Sequence, residues 1–202
     1  MLKANFITAQ EAAEKIQDGS TLCTIGMTLV SASESILKAI EKRFETVGHP
    51  ADITLVHSCG QSDRKDGIQH LAHEGLVKRI VGSHWGLQPR WMEMIANSQV
   101  EAYCLPQGQI AQLYRSMACG LPGKMSKVGL GTFIDPRVEG GKMNDRTKPL
   151  PDIVDILEYG GEEYMFYKEI PLDTVLIRGT VCDEMGNLTT TEEAMKLEVL
   201  PA

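Results

Sequence analysis

The sequence holds no uninterrupted apolar run near the roughly 18 to 20 residues a helical membrane span requires. Aromatic residues are scarce, at 5%, and basic ones are outnumbered, with 20 Lys plus Arg against 27 Asp plus Glu for a net charge of −7. A chain with this balance has neither the field nor the stacking surface to bind nucleic acid or an anionic membrane broadly. The five cysteines, Cys23, Cys59, Cys104, Cys119 and Cys182, are odd in number, scattered, and without a C-x-x-C pair. That excludes a disulfide framework and a four-thiolate zinc site, and leaves buried, reduced thiols as the expectation. Met1 to Phe6 lack the apolar core of a secretory signal, so a cytoplasmic location is expected. Neither G-x-x-x-x-G-K-[ST] nor a strand-to-helix G-x-G-x-x-G occurs, which disfavours the two common nucleotide sites. G-x-S-x-G is missing too, and with it the usual hydrolase nucleophile.

What remains is an ordinary globular composition, 43% hydrophobic over 202 residues, enough for one α/β domain. Thr8-Ala9-Gln10-Glu11 is a capping box opening a helix to Gln17, and Ser20 to Ile25 reads as a strand closed by Gly26. A second box, Ser31-Ala32-Ser33-Glu34, opens an amphipathic helix with Ile36, Leu37, Ile40 and Phe44 on one face. Asp52 to His57 follows as a strand. The alternation continues with strand Val77–Val81, helix Pro89–Asn97, strand Val100–Leu105, helix Gln109–Cys119 and strand Val128–Gly131. Apolar segments at Ile153–Leu157, Tyr164–Tyr167 and Val175–Ile177 complete the sheet or add a small antiparallel layer. The expected fold is α/β: an open, mostly parallel twisted sheet flanked by helices.

In such sheets ligands bind outside the carboxyl ends of the strands, which directs attention to the loops after Ile25, His57, Leu105 and Gly131. The polar loop Cys59–Gly67 and the long connection Ile134–Pro151 do not fit regular elements, and connections of that length are functional or disordered. His70 and His73 stand three apart beside Glu74, but without a third obvious ligand no metal site is expected. His84 reads as a structural imidazole packed by Trp85, with a general acid or base as the sharper alternative. Tyr159, Tyr164 and Tyr167 read as core or rim. Leu105-Pro106-Gln107-Gly108 leaves a strand and enters a helix: Pro106 fixes the turn, Gly108 permits close backbone approach, and the Gln107 amide can polarise a carbonyl. Gly129-Leu130-Gly131-Thr132-Phe133 likewise brings bare backbone to the sheet edge.

Leu105 to Gly108, Val128 to Arg137 and Gly140-Gly141-Lys142-Met143-Asn144 together resemble the family I coenzyme A transferases, in particular their acetate or propionate branch. His73 to Arg79, Gly82-Ser83-His84-Trp85-Gly86 and Ile177-Arg178-Gly179-Thr180 match in the same order, over essentially the whole chain. The resemblance implies CoA transfer between a short-chain acyl-CoA and a carboxylate. The reaction passes through an acyl-glutamyl anhydride and a glutamyl-CoA thioester, and CoA thioester is a substrate with no resident cofactor. It places oxyanion and substrate-binding groups at Gln107, Gly108, Gly26, Met27 and Gly131.

Two departures bear on these expectations. The family's glycine-rich turn after the first strand here reads Gly26-Met27-Thr28-Leu29-Val30-Ser31, a bulkier wall that leaves acyl preference open. The family's nucleophilic glutamate belongs to a β-like half, and no glutamate here sits in its motif. Glu34 reads as a helix cap, while Glu74 and Glu139 read as surface or loop acids. The chain is therefore expected to be an N-terminal α-like domain, residues 1–202, unfinished near Glu198–Ala202 and catalytically dependent on an absent β-like half. Expected partners are acyl-CoA, a short-chain carboxylate, that β-like half and further copies of the chain. Lys78, Arg79, Arg90 and Lys142 are the candidates for meeting anionic CoA. The alternatives are a non-catalytic metabolite- or CoA-binding module, and a scaffold half with an exposed edge.

Overall fold

A computed structural model describes residues 3–194; Glu198–Ala202, expected to be the unfinished end, lie outside the described residues. Thr8 and Glu11 form the reciprocal capping box, with Thr8 Oγ1 accepting from Glu11 N at 3.2 Å and the Glu11 carboxylate accepting from Thr8 N at 2.7 Å. They open helix α1 (Ala9–Glu14), which stops three residues short of Gln17. The chain continues through β1 (Thr21–Thr24), α2 (Glu34–Val47), β2 (Ile53–His57), β3 (Val77–Gly82), α3 (Pro89–Ala96), β4 (Glu101–Cys104) and α4 (Gln107–Ala118). Then come β5 (Gly123–Ser126), β6 (Val154–Tyr159), β7 (Glu162–Lys168), β8 (Thr174–Leu176) and a small hairpin of β9 (Val181–Cys182) and β10 (Leu188–Thr189).

Five strands build one parallel sheet in the order β4-β3-β2-β1-β8. The open α/β architecture expected from the alternating elements is the one observed. Period-two alternation explains how it is filled. Leu22, Leu55, Ile80 and Ala102 face one side, against Ala13, Leu37, Ile40 and Trp91 from α1 to α3. Cys23, Val56, Val81 and Tyr103 face the other, against Ile110 and Leu113 of α4 and Met165 and Tyr167 of β7. Leu22, Leu55 and Ile80 are wholly buried, each worth roughly 1.5 to 3 kcal/mol against solvent exposure.

The three late apolar segments divide between two sheets. Val175 lies in β8, which extends the parallel sheet beside β1, whereas β6 and β7 pair as antiparallel neighbours and take β5 as a third strand. Val128–Gly131 is not a strand. Gly129 and Gly131 have φ of 101° and 69°, which fold the segment into turns. The strand is β5 instead. Ser31 is not a helix cap either: it has φ of 59° and donates through Oγ to Glu193 (3.0 Å), while α2 starts after Ser33 without a side-chain cap. Glu34 instead accepts from Gly67 N at 2.9 Å. The buried-thiol expectation holds for Cys23 and Cys59 and fails for Cys119 and Cys182, which are exposed. Among the described residues no helix is long and apolar enough to cross a membrane.

The long connection 134–151 is anchored along the outer edge of β4. Cys104 N donates to Gly141 O (2.7 Å), Met143 N to Ala102 O (3.0 Å), and Ala102 N to Thr147 Oγ1 (2.8 Å). An edge strand that would otherwise expose its ladder is thereby covered.

Candidate functional site

The carboxyl ends of β1 to β4 finish in one row on the α1–α3 side of the sheet: Thr24 paired with His57, then Gly82 paired with Cys104. One row earlier the same side reads Leu22, Leu55, Ile80 and Ala102. An apolar face therefore turns polar at the edge where open α/β sheets bind ligands.

His57 is the centre of that row and is wholly buried. Its Nδ1 lies 2.8 Å from Cys59 O, so Nδ1 carries the proton and Nε2 is bare. Nε2 is buried without a hydrogen-bond partner, and the ring meets Trp85 edge-on at 6.1 Å. Burial, opposed weakly by the Cys59 hydrogen bond and reinforced by the field of His84, pushes its pKa down to about 4. Gln61, also wholly buried, donates from Nε2 to Thr24 O at 2.7 Å and fastens the loop after β2 beneath β1. Burial pushes the Cys104 thiol up to about 11, which removes it as a nucleophile near neutrality.

The imidazole that Trp85 packs is thus His57; His84, expected in that role, is exposed. His57 escaped notice in the sequence because strand alternation assigns it to a buried face. Only assembly of the sheet brings it beside residues 24 and 82.

The expected site residues occupy two stations on the carboxyl edge and one place away from it. Gly26 follows β1 with φ of 144°, and a Cβ there would stand 2.7 Å from Val30 O. Met27 and Val30 exchange backbone hydrogen bonds of 3.0 and 2.8 Å, closing a tight turn that leaves the Met27 side chain 42% exposed. Gln107 and Gly108 form the exposed first turn of α4, after Pro106, with no side chain capping the helix. A Cβ on Gly108 would meet nothing within 4 Å, so the packing of this chain leaves that turn open. β2 and β3 separate the two stations, which puts them roughly 14 Å apart at ordinary strand spacing. Gly131 sits in the turn beyond β5, and its N–H already donates to Asp135 Oδ2 at 2.9 Å.

The basic candidates do not gather at this edge. Arg79 pairs with Glu101 (2.7 Å), Lys142 with Asp152 (2.8 Å), and Arg90 approaches Glu41 (3.5 Å). Lys78 and Arg79 lie in the amino-terminal half of β3, away from the carboxyl ends.

His70 and His73 belong to a separate network between α2 and the 3-10 turn Gly67–Leu71. His70 Nε2 contacts Glu34 at 2.8 Å and Asp66 at 3.3 Å, its Nδ1 contacts Glu41, and His73 Nε2 reaches Glu41 at 2.9 Å. Both His70 nitrogens therefore face carboxylates, the arrangement of an imidazolium. Burial alone lowers its pKa, but hydrogen bonds and charge from Glu41 and Glu34 outweigh it and raise the pKa. Glu34, Asp66 and His70 offer ligand atoms within 4.8 Å of one another, as do Glu41, Glu45 and His73. In the first group Lys38 bridges Glu34 (3.0 Å) and Asp66 (3.1 Å).

The sheet and its edge define a class: a parallel α/β unit whose strand carboxyl ends carry a buried polar row, with an exposed amide at the following helix start. A family model for coenzyme A transferases matches residues 6–200, and the chain belongs to that family. It is 43% identical over 191 residues to the caffeate CoA-transferase of Acetobacterium woodii, covering 94% of this chain and 36% of that protein. The crystal structure of the acyl-CoA transferase YdiF apoenzyme from Escherichia coli O157:H7 superposes with a TM-score of 0.94 at 35% identity, over 98% of this chain and 39% of that one. The alpha subunit of an acetate CoA-transferase from Escherichia coli K12 is 25% identical over 188 residues, covering 93% of this chain and 76% of that subunit. The chain thus spans about a third of the length of the first two relatives.

Proposed function

We propose that the chain is the α-like portion, residues 1–202, of a short-chain acyl-CoA:carboxylate CoA-transferase, working in the cytoplasm with a β-like portion inside a homo-oligomer. The β-like portion provides a glutamate carboxylate. That carboxylate attacks the thioester carbonyl of acyl-CoA; the C–S bond breaks, CoA leaves as a thiolate, and an acyl-glutamyl anhydride remains. The thiolate attacks the glutamyl carbonyl, releasing the acyl group as a carboxylate and leaving a glutamyl-CoA thioester. An acceptor carboxylate then runs the two steps in reverse.

Each step passes through a tetrahedral oxyanion, and this chain's part is to stabilise it. The observation that carries the reading is Gln107. Its exposed amide stands at the uncapped start of α4, beyond the end of β4, in a chain that matches the family almost end to end. The amide N–H and the positive end of the helix both favour developing negative charge there. Gly108 leaves room for the substrate to approach, and the Met27 turn walls the opposite station. CoA enters as the thioester substrate.

The test is CoA transfer from acetyl-CoA or propionyl-CoA to acetate, with the chain alone and with a β-like partner from a relative. Activity is expected only with the partner. Gln107→Ala should then reduce kcat by roughly 10² to 10³, about 2.7 to 4 kcal/mol. An unchanged kcat removes Gln107 from the site. No transfer with the partner present, together with a calorimetric response to sugar phosphates but not to acyl-CoA, replaces the transferase reading with a binding module.

A further inference from the structure

We propose that His57 is a positioning residue for the Gln107 turn: its buried imidazole bears on Gly82, and Gly82 holds the strand end from which that turn departs. The inference rests on the assignment of Gln107 to the reacting centre.

The geometry begins with Gly82. Its φ lies outside the left-handed region, so the backbone conformation does not demand glycine. Space does: a Cβ at 82 would stand 2.4 Å from both Cε1 and Nε2 of His57. Glycine there is a socket for the ring. The ring is fixed within it by the Nδ1–H bond to Cys59 O (2.8 Å) and by the edge-on contact with Trp85. Gly82 O accepts from Leu105 N at 2.9 Å, and Cys104 Sγ donates to Ser83 O at 3.0 Å. These bonds set the end of β4 against the end of β3. Leu105 is two residues before Gln107, and with Pro106 holding its backbone fixed there is little slack between them. A shift of the ring is therefore passed through Gly82 to Leu105 and on to the first turn of α4.

The chemistry of the ring suits this role and no proton-transfer role. Nδ1 is committed to a carbonyl, and Nε2 faces the protein interior, so neither nitrogen is offered to a substrate. The titratable side chains around it are His84, which is exposed, and the Cys104 thiol across Gly82, which is neutral. The depressed pKa keeps the ring uncharged and its tautomer fixed at the pH of ordinary metabolism.

The first test needs no substitution. In the isotope-labelled chain, long-range proton–nitrogen spectra should show His57 with Nδ1 protonated, Nε2 bare, and no titration above pH 5. Exchange of the Leu105 amide should accelerate as the ring finally protonates. A ring that titrates near 6.5, or carries its proton on Nε2, overturns the proposal. Gly82→Ala supplies the second test. The amides of Leu105, Gln107 and Gly108 should shift while those of α1 stay in place, and His57→Asn, which keeps a donor for Cys59 O, should move the same amides. Shifts confined to residues 57–61 make His57 a local packing residue and also overturn the proposal. Joined to a β-like partner, Gly82→Ala should lower kcat at least tenfold with KM for the acceptor unchanged. A wild-type chain that turns over nothing defeats the transferase reading, and the spectra still decide the role of His57.

Discussion

Replacing Asn144 with alanine should cost about 2 to 4 kcal/mol and detach the 134–151 connection from β4. Asn144 is 8% exposed and its side chain makes four hydrogen bonds. Its Nδ2 donates to Ile95 O and Val100 O, both at 2.9 Å; its Oδ1 accepts from Thr147 N at 3.0 Å and Thr147 Oγ1 at 2.7 Å. At about 1 kcal/mol net for each buried bond the ceiling is about 4 kcal/mol. Water entering the space left by the amide recovers part of that, which sets the lower figure. Against a total stability of roughly 5 to 15 kcal/mol for a domain, the loss is large. The structural consequence is specific, because Thr147 Oγ1 is also the acceptor for Ala102 N. Urea unfolding followed by the fluorescence of the buried Trp85 and Trp91 measures the stability. Hydrogen exchange at Ala102 and Cys104 measures the detachment, since both amides bond to this segment. Asp145→Ala, which removes only a surface pair with Lys148, is the control and should leave stability unchanged. A stability loss below about 1 kcal/mol for Asn144→Ala, or Ala102 and Cys104 exchanging no faster, would refute the argument that Asn144 holds the segment to β4.

Two pH effects of opposite sign follow from the buried His57 and the partly buried His70. His57 is neutral when folded, with its pKa depressed from 6.5 to about 4, so the unfolded chain takes up the proton first. Stability should fall as pH drops from 6.5 towards 4, by about 3 kcal/mol in full, and the difference between wild type and His57→Asn across urea titrations should show that slope. His70 is charged when folded and its pKa is raised. Its contribution is complete below 6.5 and is lost as pH rises through the raised value, so His70→Gln should flatten the alkaline side of the profile and leave the acid side alone. A His70→Gln difference that stays constant or grows as pH rises above 6.5 would refute the imidazolium assignment.

The parallel sheet was legible because its strands carry their own signature. Leu22-Cys23, Leu55-Val56 and Ile80-Val81 are apolar pairs that feed two cores, and the long connections between them, through α2 and through the Gly67–Leu71 turn, allow parallel crossovers. β5 was hidden because Gly123-Lys124-Met125-Ser126 has neither alternation nor β-branched residues; it is a strand because β7 lies alongside to pair with it. Val128–Gly131 misled for the opposite reason, since glycine flexibility does not appear in an apolar count. The Ser31 box had the right residue types three apart, yet its serine takes a left-handed conformation and bonds to Glu193, a partner 162 residues away. Gln107 and Gly108 were visible as a strand-to-helix turn. His57 was not, because residues 24, 57, 82 and 104 share no local spacing.

The two edges of the sheet show why that row differs from ordinary polar fringe. At the amino edge polar groups are present but bonded and open to water: Asp173 accepts from Thr21 N at 2.8 Å, and Asp18, half exposed, accepts from Ala51 N and contacts His49. That is how a sheet ends against solvent. At the carboxyl edge Thr24, His57 and Gln61 are buried, and Thr24 Oγ1, His57 Nε2 and Gln61 Oε1 have no protein hydrogen-bond partner. Burying such atoms costs about 1 to 3 kcal/mol each, and the apolar alternation of the preceding row could have continued one step further at no such cost. Sequence rules that fail together at one place, against stability, mark residues held for a purpose other than folding. These three atoms lie between the Met27 turn and the Gln107 turn, so the buried polar row is the floor that spaces the two stations of the proposed site.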